Sequence, residues 1–205
     1  MTMGLDGQTG APPGPEPRLL MHCRPPVSVF SNPVIAVFGV DLGPSGKFTA
    51  SFERDSAGNS RVQLRQIDGT APLFGQVWAM KTKSESLVFY QEGVVVARKW
   101  PNTADWGAWG FGDFESEWTD QHQKLAGYDV RKVALRTRAG KTRPAQDAGE
   151  CWVSEPLATV MWERILVPGE GVKEWKVKTI DKKAPAADLL AIPAEFQILG
   201  ATQHE

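Results

Sequence analysis

From Val34 onward the chain is written as short β-type segments, each closed by a glycine-bearing turn. Val34 to Val40 is apolar, and Gly43-Pro44-Ser45-Gly46 ends it as a tight turn. Phe48, Ala50 and Phe52 then alternate with Lys47, Thr49, Ser51 and Glu53, the period of a strand with one buried face. Ser56-Ala57-Gly58-Asn59 closes a hairpin onto Arg61 to Ile67, where Val62, Leu64 and Gln66 alternate with Arg61, Gln63 and Arg65, and Asp68-Gly69 turns again. Gln76 to Lys81, Ser86 to Tyr90 and Val94 to Trp100 continue the series, the last two joined through Glu92-Gly93. Successive strands with short connections spell an antiparallel meander.

Further along, Tyr128 to Arg138 predicts a long strand, partnered by Gly149 to Glu155 across a loop over Gly140 to Ala148. Pro156 to Leu166 puts Leu157, Val160, Met161 and Ile165 at helical spacing, with Pro156 in the first turn and Pro168-Gly169 as a stop, which predicts one helix. Val172 to Asp181 returns to strand, and its lysines predict an edge protected against further pairing. A short helical turn is expected at Ala186 to Ala191. The count of about nine strands and one or two helices makes the expected fold class mainly β (α+β), a mostly antiparallel sheet with a helix laid against it.

The first 26 residues hold six prolines and four glycines and no hydrophobic period. Such a stretch cannot bury enough apolar surface to offset the entropy of ordering it. Residues 1–33 are therefore expected to form a disordered or poorly packed leader, 34–200 a single curved-sheet domain and 201–205 a tail. The leader lacks a basic region followed directly by an uninterrupted apolar run, and a degenerate secretory signal with Arg18 and Arg24 ahead of Val27 to Val40 is broken by Ser31, Asn32 and Pro33. A chain of 205 residues can bury a core without disulfides or metals. Lys+Arg number 23 against 24 Asp+Glu, and the net charge of -1 removes the electrostatic case for nucleic-acid binding and for a polybasic membrane anchor. No apolar run reaches the ~18 residues that span a bilayer. Cys23 and Cys151 belong to no C-x-x-C pair, which leaves one long-range disulfide or two unpaired thiols.

Catalytic chemistry finds little footing. Of the histidines, His22 lies in the leader and His204 at the end of the chain, leaving His122 in mid-chain, and no nucleophile elbow, zinc-binding helix, Walker loop or G-x-G-x-x-G occurs. Asp105, Asp113, Glu115, Glu117 and Asp120 gather near His122, and paired carboxylates could serve glycoside chemistry or a hard cation. Their spacing matches neither an EF-hand nor a fixed acid/base geometry, so a solvated loop is the plainer reading. No cofactor or metal is expected. Half of the eight tryptophans, Trp100, Trp106, Trp109 and Trp118, cluster with Phe111 and Phe114 among glycines and acids. That stretch can act as a lid over one end of the core or as a stacking platform for a sugar or apolar ligand. Trp78, Trp152, Trp162 and Trp175 fall on predicted strands or the helix, where core packing is the default.

Lys124-Leu125-Ala126-Gly127-Tyr128-Asp129-Val130, then Cys151-Trp152-Val153-Ser154, then Ala191-Ile192-Pro193-Ala194-Glu195-Phe196 resemble, in that order, the C-terminal half of an uncharacterised family of bacterial envelope proteins. Arg61 to Asp68 and Ser86 to Tyr90 are similar to that family's hairpin. The family is similar in turn to lipoprotein carriers and receptors of the LolA/LolB type, which implies a strongly curved antiparallel sheet or unclosed barrel of about nine to eleven strands, with one or two helices against the concave face over an apolar cavity, and a place in the periplasm or cell envelope. Within it, Gly127 would allow a tight turn into the strand, Tyr128 would lay its ring on the core, and Pro193 would fix the last segment as it leaves the sheet.

Two functions of different classes follow. One is a non-enzymatic envelope protein holding a lipid, an acyl chain, a lipoprotein or another hydrophobic partner between sheet and helix, lined by Phe48, Phe52, Val62, Leu64, Val77, Phe89, Val95, Trp152, Met161 and Trp162. The other is a carbohydrate-binding module on the 100–118 loop, which requires coplanar, solvent-facing rings among Trp106, Trp109 and Trp118. A structural or interaction domain with a filled core stands beside both.

Overall fold

The computed structural model describes residues 22–23, 32–99, 109–112, 114–139 and 144–200. Twelve strands form one sheet. They are β1 (Val34–Asp41), β2 (Lys47–Arg54), β3 (Ser60–Gln66), β4 (Pro72–Ala79), β5 (Ser84–Phe89), β6 (Val94–Lys99), β7 (Phe114–Leu125), β8 (Tyr128–Thr137), β9 (Asp147–Ser154), β10 (Thr159–Val167), β11 (Gly171–Asp181) and β12 (Gln197–Gly200). Their spatial order is β12-β6-β5-β4-β3-β2-β1-β11-β10-β9-β8-β7. The chain starts at the centre, runs outward as a meander to β6, crosses to the far edge at β7 and returns inward to pair β11 with β1. Every pairing is antiparallel except that of β12 with β6.

Chain length forces this sheet to curl. Lys99 ends β6, and Trp109 already packs on the cluster beside β7 and β8. Ten residues reach at most ~35 Å, whereas nine or ten flat inter-strand steps would span roughly 43–48 Å. The sheet remains an unclosed one, with β12 and β7 at its edges.

Several sequence expectations need correction. No α-helix occurs among the described residues: Glu155 to Ala158 is a turn, with Ala158 at φ 44°, and Thr159–Val167 is β10. Leu157, Val160, Met161 and Ile165 coincide with helical spacing because β10 carries an irregularity between Val160 and Trp162, which brings two consecutive apolar residues inward. Beyond it the strand reads at period 2, with Met161, Glu163 and Ile165 buried and Arg164 and Leu166 exposed. The expected short helical turn is a single 3₁₀ turn, Ala187–Leu190, and another, Gly43–Ser45, lies after β1.

β11 is not an edge strand, because β1 covers one side of it and β10 the other. Its lysines lay their stems over neighbours instead: Lys176 sits over the Trp162 ring, and Lys178 fills the space beside Gly39. The acidic stretch after Phe114 is the twelve-residue edge strand β7 rather than a loop. Twelve strands, not nine to eleven, also include β12, whose four residues carry too little pattern to be seen.

One turn behaves as the sequence implies. Gly127 takes φ 84° in the turn joining β7 to β8, and Tyr128 packs half-buried against the main core. Past β11, the chain straps the outer face. Its 3₁₀ turn lies against β2 and β3, and Ile192 and Phe196 cover Val77, Val88 and Val95 before β12 joins β6.

Candidate functional site

Cross-strand register defines the inner face. Phe48, Ala50, Phe52 and Arg54 stand beside Val40, Phe38, Ala36 and Val34 of β1, and the same face continues through Leu64 and Val62 to Phe74 and Phe89. In the other direction it runs through Val177 and Trp175. Of the ten predicted lining residues, Leu64, Trp152 and Met161 are buried in the main core cluster, and Phe48, Phe52, Val62, Phe89 and Trp162 are half-buried against it. Val77 and Val95 are not with them. Pairing of Val77 with Arg61 puts it on the face opposite Val62, under the C-terminal strap.

A depression of about 320 Å³ lies over Gly39 between β1, β2 and β11. Asp41, Lys47, Glu174, Lys176 and Lys178 line it from the Gly39 side of the sheet, and Val40, Phe48, Ile67 and Val177 border it. Ile67 is 55% exposed there. Phe48 alone of the predicted lining residues borders this opening.

Trp152 and Trp162 do something the alternating pattern did not suggest. They face each other across β9 and β10 and stack, with centroids 6.2 Å apart and planes at 9°. Lys132 Nζ stands 6.0 Å from the Trp152 ring and Lys176 Nζ 4.8 Å from that of Trp162, so cations flank both ends of the pair. Trp162 Nε1 donates to Glu174 Oε1 at 2.6 Å. Being cross-strand neighbours capped by lysine, these rings are occupied with each other.

The tryptophan-rich stretch is described from Trp109, apart from Asp113; Trp100 and Trp106 lie outside the described residues. Phe111 is buried and Trp109 half-buried over a second core cluster containing Val133, Leu135, Cys151 and Ile165. Both rings meet Trp118 edge-to-face, at 72° for Trp109 and 79° for Phe111. Neither ring shares a plane with Trp118, so these three side chains form no common flat surface. Glu115, Glu117 and Asp120 lie along the exposed edge strand β7, where Asp120 faces Arg131 at 3.8 Å. They converge on no common point with His122, which is itself exposed opposite Arg131.

Sequence reasoning passed over two buried charges. Arg54 is fully buried and donates to the carbonyls of Asn32, Leu157 and Ala158, tying the start of β1 to the β9–β10 turn. Burial pulls its guanidinium below the ordinary arginine value, to about 10, which still leaves it charged at neutral pH. Glu163 is 1% exposed on β10. Its carboxylate accepts the backbone N–H of His22 at 3.0 Å and of Cys23 at 2.8 Å, and His22 Nδ1 lies 3.1 Å away. Cys23 and Cys151 are joined as a disulfide beside it, with Cα atoms 6.7 Å apart. Of the two open readings for these cysteines, the structure takes the bridge. The charged pair Glu163-Arg164 interrupting the apolar run of Thr159–Val167 was the available signal for Glu163.

No family model matches this chain, and no curated protein matches it either. Among solved structures, an uncharacterized conserved protein from Thermus thermophilus is similar over 84% of this chain and 93% of that one, at TM-score 0.57 and 13% identity. The structure of the Pseudomonas aeruginosa MucA/MucB complex is similar over 84% of this chain and 60% of that one, at TM-score 0.52 and 16% identity. At such identities the likeness is one of fold. A LolA superfamily protein from Nitrosomonas europaea reaches only TM-score 0.34 at 9% identity over 79% of this chain and 90% of that one, a level that carries no weight.

Proposed function

We propose that the protein is a non-enzymatic binding protein of the cell envelope that takes an apolar group, an acyl chain or the lipidated end of a partner, at the depression between β1, β2 and β11. The observation that carries this reading is that depression, in which Phe48 and Ile67 stand beside Lys47, Lys176 and Lys178. Its volume of about 320 Å³ lies at the lower end of the range for small-molecule sites, roughly 300–1,000 Å³. The lysines at its rim suit an anionic head group on an apolar tail. A disulfide from Cys23 to Cys151 favours an oxidising compartment. Use of such a sheet to hold a partner is supported by the MucA/MucB neighbour, itself a complex of two proteins.

Native mass spectrometry of gently extracted protein, together with thermal denaturation in the presence of a fatty acid or a lipopeptide, tests this. An adduct of lipid mass and a raised midpoint, both lost in Ile67→Asp, are the expected results. Recovery of bare protein whose midpoint is unmoved by either ligand would remove the proposal.

A further inference from the structure

A buried carboxylate normally has a lysine, arginine or metal ion beside it, because removing an ion from water is costly unless charge is compensated. Glu163 has no lysine or arginine partner among the described residues. Its contacts are two backbone N–H groups, the His22 ring and, at 3.9 Å, Cys151 Sγ. These donors satisfy the carboxylate from one side, and on the other it belongs to a donor set. Cys23 Sγ, Cys151 Sγ and a Glu163 oxygen all lie within 4.8 Å of one another, contributed by three separate segments, and all three residues are buried.

We propose that this cluster is a redox-gated zinc site, in which the disulfide is the closed form and its reduction opens a three-ligand Cys₂Glu centre for Zn²⁺. A dithiol reductant delivers two electrons and two protons to the Cys23–Cys151 bond and leaves as its own disulfide. The two thiols then release their protons as their sulfurs bind the cation. Two thiolates and one carboxylate supply three of the four positions zinc favours, with water as the fourth. His22 positions the site rather than binding the ion: its Nδ1 holds Glu163 Oε1, so the other carboxylate oxygen points toward the sulfurs. Thiolate donors select zinc over magnesium or calcium.

The full chain is reduced with a phosphine, dialysed against Zn²⁺ alone and analysed for metal content, alongside the oxidised chain treated identically. One zinc per reduced chain and none per oxidised chain is expected. Cobalt substitution should give a thiolate-to-metal charge-transfer band in the reduced chain only. Cys23→Ser should abolish the band, and Glu163→Gln should lose stoichiometric binding while its oxidised form keeps the wild-type circular dichroism. Should Glu163→Gln fail to fold, His22→Ala carries the test through an affinity weakened about 10- to 100-fold. Absence of zinc from the reduced wild type, equal loading of the oxidised chain, or unchanged affinity in the Glu163 or His22 variant would overturn the site. None of these readouts depends on lipid binding, so failure here is distinguishable from failure of the proposed function.

Discussion

Replacing Arg54 with methionine keeps much of the side-chain volume and removes the fork that ties Asn32 to the β9–β10 turn. Arg54 Nε and Nη2 both donate to Asn32 O, at 3.1 and 3.0 Å, while Nη2 and Nη1 reach Leu157 O and Ala158 O at 2.6 and 2.8 Å. A hydrogen bond from a charged donor is worth roughly 1.5–3 kcal/mol. Against this stands the desolvation of the guanidinium, whose fall to about 10 corresponds to roughly 3 kcal/mol. The bonds outweigh the burial cost. Arg54→Met should therefore lower stability by about 3–5 kcal/mol, as expected when one side of a buried charged network is removed and its acceptors are stranded. Arg54→Lys keeps the charge but cannot span three carbonyls, and should lose nearly as much. Urea denaturation followed by circular dichroism measures both, through a lowered midpoint at unchanged slope. A stability for Arg54→Met within ~0.5 kcal/mol of wild type would mean that the fork contributes nothing net and that the turn is held by packing alone.

Gly149 holds φ 145° on β9, and a Cβ there would stand 2.0 Å from the carbonyl oxygen of Arg164. Gly149→Ala must push β9 off β10 and should lower stability by roughly 3 kcal/mol or more, read as a lost or strongly depressed thermal midpoint. For the Trp152–Trp162 stack, a double-mutant cycle with Trp152→Ala and Trp162→Ala should give a coupling energy of about 0.5–1.5 kcal/mol. Zero coupling in denaturant titrations would show that the rings contribute only by their separate burial.

Alternation and turn chemistry made most of the sheet legible. Phe48, Ala50 and Phe52 read as an inward row and are one, and the glycine turns fall between the strands they were expected to join. β10 was not legible, since one irregularity at Val160–Trp162 is enough to turn a strand's period into an apparent helix. Lysine content misplaced β11 for a related reason: a lysine can guard an edge or lie along an aromatic ring in mid-sheet, and the residue type is the same in both. For the candidate site, the shared inward face of Phe48, Phe52, Val62, Leu64 and Phe89 was readable from period 2. Val77 and Val95 were misassigned because period 2 says which residues share a face and not which face is inside.

The sequence by itself determined that this chain is a β meander, that most of its strands are apolar on one side, and that half of its tryptophans gather in one stretch. These are local properties, written in neighbouring residues. Tertiary structure decided the rest. Only closure of β11 onto β1 sets which strands are central, and only the curl of the sheet carries Trp109 and Phe111 onto Trp118. Cys23 meets Cys151 across 128 residues of sequence, with Glu163 beside them. Contacts at that separation depend on strand order and curvature, which no local period encodes.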